Sequence, residues 1–520
     1  MTVRTLLAAA LIGILSPLAA CSSGGGSGDG GEGAAAVQPS RVDAASLRAA
    51  VSDPRLVRFY EARQWQPAWN EATAKVLVEA LGGANRHGLD RNLYLADVER
   101  AASPAAREAA LSLAALNYGE ALARGRTDPR RIEPVYTVAR PETDVAAGLN
   151  RALQANDVPG WLSGLAPQDE EYRQLSEAYL RAAQAPTARL SPLAPGPAIR
   201  PGSSDARVAS LAQLLAAAGY YTPPPPQHQQ QSSQSRPARP RYGPELVAAV
   251  RSLQEDYGLT ASGLVGEATV AAVNDAALDR ARTLAINLER RRWLKRDPEQ
   301  TRIDVNIAAA SLAYWRDGAV ADQRRVVVGE PGHETPELGS PLFRLVANPT
   351  WTVPRSIQEE EIEPEGPAYM ARHNMEWRDG WIVQRSGPTN SLGLVKFDMR
   401  NDQSIYLHDT PAKALFGEDM RQFSHGCVRV QDALGFAALI AADQGVSEEW
   451  NRARATGEET FVQLPRAIPV RLLYQTAFLD GGRIRYRLDA YGWDNEIARR
   501  LGLRTRPRQE YVHRRHDVGP

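Results

Sequence analysis

The chain has 520 residues, too long for one ordinary domain and enough for about two to four. Its 43% hydrophobic content suits folded globular domains, and its 61 basic residues are balanced by 61 acidic ones, so bulk charge points to no nucleic-acid partner. Only two cysteines occur, Cys21 and Cys427; Cys21 lies in a segment that reads as processed, so a structural disulfide is not expected and each needs its own explanation.

The chain opens on a short positive region at Arg4, an almost unbroken apolar run from Leu6 to Leu15, and Leu18-Ala19-Ala20 before Cys21. Residues 1–20 read as a signal peptide, because the apolar stretch is too short and wrongly flanked for a stable membrane span. Leu18 to Cys21 resembles the bacterial lipoprotein box, which implies that Cys21 is lipidated and becomes the mature N-terminus. Ser22 follows rather than Asp, so no inner-membrane retention signal is evident. Residues 21–42, rich in Gly and Ser, suit a flexible tether. The expectation is a periplasmic protein held to the cell envelope by a lipid anchor, on the outer membrane rather than the inner.

Residues 43–200 read as a helical scaffold domain. Ala, Leu, Arg and Glu dominate, and Ala110, Leu113, Ala114, Tyr118 and Ala121 recur at helical spacing. Phe59, Tyr60, Trp65 and Trp69 are expected in its core. His87-Gly88-Leu89-Asp90 predicts a helix end with a left-handed glycine, and Pro192, Pro195, Pro197 and Pro201 mark a linker.

Residues 201–275 show three apolar stripes. Val208, Leu211, Leu214 and Leu215 form the first, Leu246, Val250, Leu253 and Tyr257 the second, and Thr269 to Val273 a short third. Gly258-Leu259 and Gly263-Leu264-Val265-Gly266 supply tight turns. With the closing Asn, this pattern resembles the three-helix peptidoglycan-binding domain found beside many wall enzymes. A Pro, Gln and Ser-rich insertion at 222–241 interrupts it and is expected to form no packed element.

Residues 276–503 turn toward strands after Arg302. Candidates are Ile303 to Ile307, Gln323 to Val328, Leu342 to Val346, Trp381 to Gln384, Ser404 to Leu407, Val470 to Tyr474 and Arg483 to Leu488, with a helix at Ala433 to Ala442. The basic tail, 504–520, ends the chain. The fold class is therefore multidomain α+β: a helical scaffold, a three-helix module and a mostly-β catalytic domain.

The chemistry concentrates between His408 and Arg429. Tyr406-Leu407-His408-Asp409-Thr410-Pro411 is followed by Ser424-His425-Gly426-Cys427-Val428-Arg429. A thiol attacks a carbonyl only as thiolate, so it needs a base or a positive field beside it. His408 can be that base if its strand end faces the Cys turn. Gly426 lets the backbone approach a reacting carbonyl, and the N–H groups of His425, Gly426 and Cys427 are candidates for an oxyanion hole. A zinc centre made of His408, His425 and Cys427 is the rival reading, although no Glu base stands alongside.

These residues resemble the active-site motif of L,D-transpeptidases: a His, about fifteen residues, then Ser-His-Gly-Cys, an apolar residue, and Arg or Asn. Fifteen residues separate His408 from Ser424. Asn348 to Pro354, Gly393 to Phe397, Asn287 to Trp293 and Tyr491 to Asp494 resemble the large membrane-anchored Gram-negative branch. The resemblance implies Cys427 as nucleophile, His408 as general base, His425 and Gly426 around the oxyanion, and Ser424 supporting the turn. It places Arg429, Tyr406 and Trp351 at the substrate, with 356–392 as a cap over the groove. Asp409 follows His408 where some relatives carry Gly or Ser, which leaves the group orienting the imidazole open, a backbone carbonyl among the choices.

The implied reaction joins peptidoglycan tetrapeptide stems as donor and acceptor, through a thioester, into 3-3 cross-links. Carbapenems are implied to react at the same thiol. No metal and no organic cofactor is implied. Peptidoglycan synthases are plausible partners. Water as acceptor would give an L,D-carboxypeptidase, and the same chemistry serves enzymes that attach proteins to the wall. A wall-binding lipoprotein without catalysis would be expected to lack the Cys or the His.

Overall fold

The computed structural model describes residues 42–185, 190–224 and 240–506. The signal segment, Cys21 and the tether, all but the ends of the 222–241 insertion, and residues 507–520 lie outside them. Among the described residues, no helix is long and apolar enough to cross a membrane.

The scaffold helices begin where the sequence supplies caps. Asp43, Asp53, Ser103, Asp144, Asp157 and Asp169 each accept a backbone N–H of their own first turn, and Asn70 closes a capping box with Thr73. The longest, Pro104–Arg124, carries Pro at its start and buries Leu111, Ala115, Leu116, Tyr118 and Leu122. Phe59 and Tyr60 are buried against it, and Tyr60 donates to the Glu108 carboxylate at 3.0 Å. Gly88 takes the left-handed conformation at φ 67°, as its sequence context predicts.

The second module has the three helices expected, Val208–Ala217, Pro244–Asp256 and Glu267–Leu278, the last longer than its apolar stripe suggested. Asn274 clamps the linker: its Oδ1 accepts the Leu193 N–H at 2.7 Å and its amide donates to the Leu193 carbonyl at 3.2 Å.

Helix Arg280–Trp293 joins both modules to the catalytic domain. One side faces the scaffold: Glu289 and Arg292 pair at 2.6 Å with neither side chain exposed. Arg292 donates to the His87 carbonyl at 2.7 Å, and Glu289 accepts from the backbone N–H and hydroxyl of Thr127. The other side faces the catalytic domain, where Arg290 meets Asp494 at 2.5 Å and Asn287 exchanges hydrogen bonds with Thr476.

Gly125 ends the long scaffold helix at φ +84°, against this junction. A Cβ there would stand 2.5 Å from Trp293 Cδ1 and 2.9 Å from Glu289 Oε1. Gly125→Ala is expected to cost roughly 2 to 4 kcal/mol from steric overlap and backbone strain together. Urea unfolding followed by tryptophan fluorescence reads the change, and a variant within 0.5 kcal/mol of wild type, about the level of an ordinary surface change, would mean the junction is loose.

Fourteen strands follow: β1 Arg302–Asn306, β2 Ser311–Arg316, β3 Ala319–Gly329, β4 Gly339–Ala347, β5 Trp351–Thr352, β6 Met375–Arg378, β7 Trp381–Gln384, β8 Val395–Met399, β9 Leu407–His408, β10 Gln422–Ser424, β11 Val428–Val430, β12 Thr460–Leu473, β13 Ala477–Asp480 and β14 Arg483–Tyr486. The main sheet runs β10-β3-β11-β9-β8-β4-β12-β1-β2, and β2 also pairs with β3, which closes the strands from β3 to β2 into a barrel. Ile303, Val305, Val326, Val328, Leu345, Phe397, Val428 and Val470 fill it, and helix Ala433–Gln444 covers it through Phe436, Ala437 and Ile440. β5, β7 and β6 make a separate sheet, with β6 and β7 inside the segment 356–392 expected as a cap and β5 just before it. The multidomain α+β class expected from the sequence is the one observed.

One strand differs from expectation. Ser404 to Leu407 reads as a strand, but the ladder starts only at Leu407. Asn401 Oδ1 accepts the N–H of Gln403 and of Ile405, while Ser404 sits at φ +55°; this side-chain-built turn replaces strand pairing until Leu407.

Candidate active site

Three neighbouring strands assemble the site. β11 runs parallel to β9, pairing Val428 with Leu407 and Arg429 with His408. β8 runs antiparallel to β9, pairing Lys396 with His408. Side chains alternate across a sheet, so Lys396, His408 and Arg429 project to one face, as do Tyr406 and Cys427 one step outward. The Val428 N–H to Tyr406 carbonyl bond, at 3.1 Å, carries that pairing to the edge of the cysteine turn.

The turn itself is tied down. Ser424 Oγ donates to the Cys427 carbonyl at 2.6 Å and accepts the Gly426 N–H at 3.2 Å. Thr335 Oγ1 donates to the Gly426 carbonyl at 2.7 Å and accepts the Gly329 N–H at 2.8 Å. Tyr491 accepts the Thr335 N–H and donates to the Gly329 carbonyl. Gly426 lies at φ +114°, which only glycine adopts readily.

His408 is fully buried, and its Nδ1 lies 2.5 Å from the Asp409 carbonyl oxygen. A carbonyl only accepts, so Nδ1 carries a proton, and whenever the ring is neutral its lone pair is on Nε2. The Asp409 carboxylate is occupied elsewhere, with the Lys413 ammonium and the Leu394 N–H. The Tyr406 ring stands edge-on to His408, centroids 5.7 Å apart, and the Lys396 ammonium lies 4.3 Å from the centre of the Tyr406 ring.

Cys427 is 5% exposed, and its Sγ lies 3.6 Å from the Ser404 carbonyl. Burial pushes the thiol up to about 11; the Tyr406 backbone and hydroxyl, the Lys396 ammonium and the Arg429 guanidinium all pull the other way. Burial also raises Tyr406 well above the usual phenol range, so it stays a neutral donor beside the sulfur.

The cap has its own core of Trp351, Val353, Ile357, Ile362, Met370, Met375, Ile382 and Leu392, with Tyr406 packed against it. Trp351 is 1% exposed and belongs to that core, against which Tyr406 packs. Arg429, at 1% exposed, is likewise enclosed. The acidic run Glu359-Glu360-Glu361 splits: Glu359 and Glu360 face solvent, while Glu361 turns inward, its Oε1 2.6 Å from His425 Nε2.

The structure therefore brings Cys427, His408, Tyr406, Ser424 and Gly426 together. His425 meets Glu361 through Nε2 at 2.6 Å, and its ring lies 4.7 Å from that of His333. The one group of donors near enough to share a metal, among the described residues, is Glu330, His333 and His425, not the set His408, His425 and Cys427. Sequence reasoning missed Thr335, Lys396 and Glu361 as neighbours of the turn. Gly332-His333-Glu334-Thr335-Pro336 carries a local signal of the kind that singled out the Cys turn; Glu361 carries none.

Residues 300–449 match the family model of the L,D-transpeptidase catalytic domain, residues 54–178 that of a scaffold domain, and residues 204–273 that described as a "Putative peptidoglycan binding domain". A Haemophilus influenzae protein named "Putative L,D-transpeptidase" is 32% identical over 239 residues, 41% of this chain and 48% of that protein. The chain thus matches about half the length of that relative. Among solved structures, an L,D-transpeptidase from Mycobacterium smegmatis is 14% identical, covering 33% of this chain and 58% of its own, with a TM-score of 0.20. The catalytic domain of an Enterococcus faecium L,D-transpeptidase acylated by ertapenem is 17% identical, covering 26% of this chain and 85% of its own, with a TM-score of 0.18.

Proposed function

With an L,D-transpeptidase catalytic domain at residues 300–449 as the premise, we propose that the chain forms 3-3 cross-links in peptidoglycan through a thioester on Cys427. The observation that carries the reading is the register of β9 beside β11, which sets His408 and Tyr406 on the face of the cysteine turn.

Cys427 Sγ attacks the carbonyl of the third stem residue while His408 Nε2 takes the thiol proton. The bond to the terminal D-alanine breaks, and His408 returns the proton to the departing amine. The oxyanion is met at the turn held by Ser424 and Thr335. Because the Gly426 N–H already reaches Ser424 Oγ, the His425 and Cys427 N–H groups serve as the donors. A side-chain amine of a second stem then attacks the thioester, the new amide forms, and the thiol is regenerated. The cap, seated through Glu361 on His425, keeps water from the thioester and favours amine over hydrolysis. The same thiol is expected to open the strained ring of a carbapenem.

The peptidoglycan-binding module would hold the glycan near the groove. Lipidation at Cys21, supported by the residues before it, would place the enzyme in the periplasm, anchored to the outer membrane.

The test is mass spectrometry of protein beginning after Cys21, incubated with disaccharide-tetrapeptide, beside Cys427→Ala. The expected product is a dimer that has lost one D-alanine, absent from the variant. Tripeptide alone would replace the reading with a carboxypeptidase. Dimer formed equally by the variant, or no product from either, would remove the thiol mechanism.

A further inference from the structure

Glu330 and His333 lie on the tight connection between β3 and β4. The His333 N–H donates to the Glu330 carbonyl at 2.9 Å, and Gly332 at φ +103° permits the reversal. This turn brings both side chains toward His425, so that one donor atom from each of the three lies within 4.8 Å of the others. The His333 and His425 rings are 4.7 Å apart and tilted by 56°. Behind them, the Glu361 carboxylate holds His425 Nε2 at 2.6 Å, with both side chains only about a tenth exposed, at 12% and 10%.

We propose that Glu330, His333 and His425, backed by Glu361, form a binding site for a divalent first-row transition ion of the zinc class, placed to pin the cap onto the cysteine turn. Two imidazoles and a carboxylate are a donor set for zinc, whereas magnesium and calcium take oxygen donors. Zinc ligands in a tetrahedron stand about 3.4 Å apart, so the cluster must close by roughly an ångström. His333 is exposed and on a turn, and can swing that far. A carboxylate on a ligating histidine is the usual outer partner that fixes such a ring. The four residues come from three segments: the β3–β4 turn, the cap and the cysteine turn. An ion bound there ties all three together without using Cys427 or His408. The binding site stands apart from the catalytic reading; only its consequence, slower transfer with the cap held shut, rests on that reading.

The experiment is calorimetric titration of zinc chloride into the protein beginning after Cys21, carrying Cys427→Ala so that the thiol cannot contribute, with magnesium chloride as control. One zinc per chain is expected at this site and no magnesium. Adding His333→Ala should weaken that binding at least about a hundredfold, and Glu330→Gln should do so by a separate route. Glu361→Gln should weaken it about ten- to a hundredfold. Zinc should also slow amide exchange across Met375–Gln384 in the cap, and not in the His333→Ala chain. Binding that survives both His333→Ala and Glu330→Gln, or no zinc uptake by the Cys427→Ala chain, would overturn the site. Zinc binding with unchanged exchange in the cap would overturn the pinning.

Discussion

His408→Gln will lower kcat for tetrapeptide cross-linking by about three orders of magnitude, near the middle of what a positioned general base contributes. The reason lies in the thiol it serves. Burial holds Cys427 up at about 11, so at pH 7.5 only roughly one molecule in three thousand carries a thiolate unaided. Lys396 and Arg429 lean against that burial but do not overcome it. Attack at neutral pH therefore needs proton removal during the step. Nδ1 of His408 is committed to the Asp409 carbonyl, which leaves proton acceptance to Nε2. Glutamine keeps the size and can keep the bond to Asp409, yet cannot take the proton. KM should move less than about threefold, since the loss falls on the transition state. The residual rate should climb about tenfold per pH unit toward about 11, as the neutral thiol below that value becomes thiolate above it. Wild type should lack that slope. Steady-state rates from pH 6 to 10 decide it: a loss under tenfold, or a flat residual profile, would remove His408 as the base.

The residues in this argument were legible because their signal is local. A lone Cys in a His-Gly turn, a His at a strand end and a fixed interval between them can be read along the chain, and the barrel confirms the juxtaposition through β9 and β11. The three apolar stripes of the second module were readable for the same reason. What could not be read depends on segments far apart. β10 and β11 have three residues each, too short to show a period of two. Whereas the strand candidate from the sequence starts only at Val470, β12 runs from Thr460 through Pro465 and Pro469. It survives because a register shift between Gln463 and Ile468 absorbs one proline, and the other sits opposite Pro341. Nothing distinguishes Glu361 from Glu359 and Glu360 along the chain; only the fold brings it onto His425. Asn287 to Trp293 and Tyr491 to Asp494 both carry the resemblance, but nothing along the chain shows that Arg290 and Asp494 touch across 204 positions.

That contact carries the largest stability effect expected. Arg290 and Asp494 are each 3% exposed and pair at 2.5 Å, with Thr476 donating to the second Asp494 oxygen and the Tyr474 ring 5.0 Å from the guanidinium. Two further carboxyls, buried Glu337 and half-buried Asp489, face the same cation. Burial pushes Glu337 up to about 7 from 4.5, and burial with the neighbouring Asp494 pushes Asp489 up to about 7 from 3.8; Arg290 opposes both shifts. One arginine cannot neutralise three charges, so two carboxyls keep their protons at mildly acid pH. A carboxyl whose folded value is raised stabilises the fold below its unfolded value, and that contribution is lost as pH rises through about 7. Wild type should therefore lose stability between pH 5 and pH 8. Asp494→Ala leaves Arg290 buried without its partner and should cost about 3 to 5 kcal/mol at pH 5, where Glu337 and Asp489 are neutral. At pH 8 the gap should narrow. With the repulsion of Asp494 gone, Glu337 and Asp489 ionise more readily and take its place against Arg290. Glu337→Gln, which keeps an oxygen for the Tyr474 N–H that Glu337 now accepts at 3.0 Å, should flatten the wild-type decline. Denaturant unfolding of the three chains at pH 5, 6.5 and 8 separates the cases: a gap for Asp494→Ala that stays constant or widens with pH would mean that the other two carboxyls do not share Arg290.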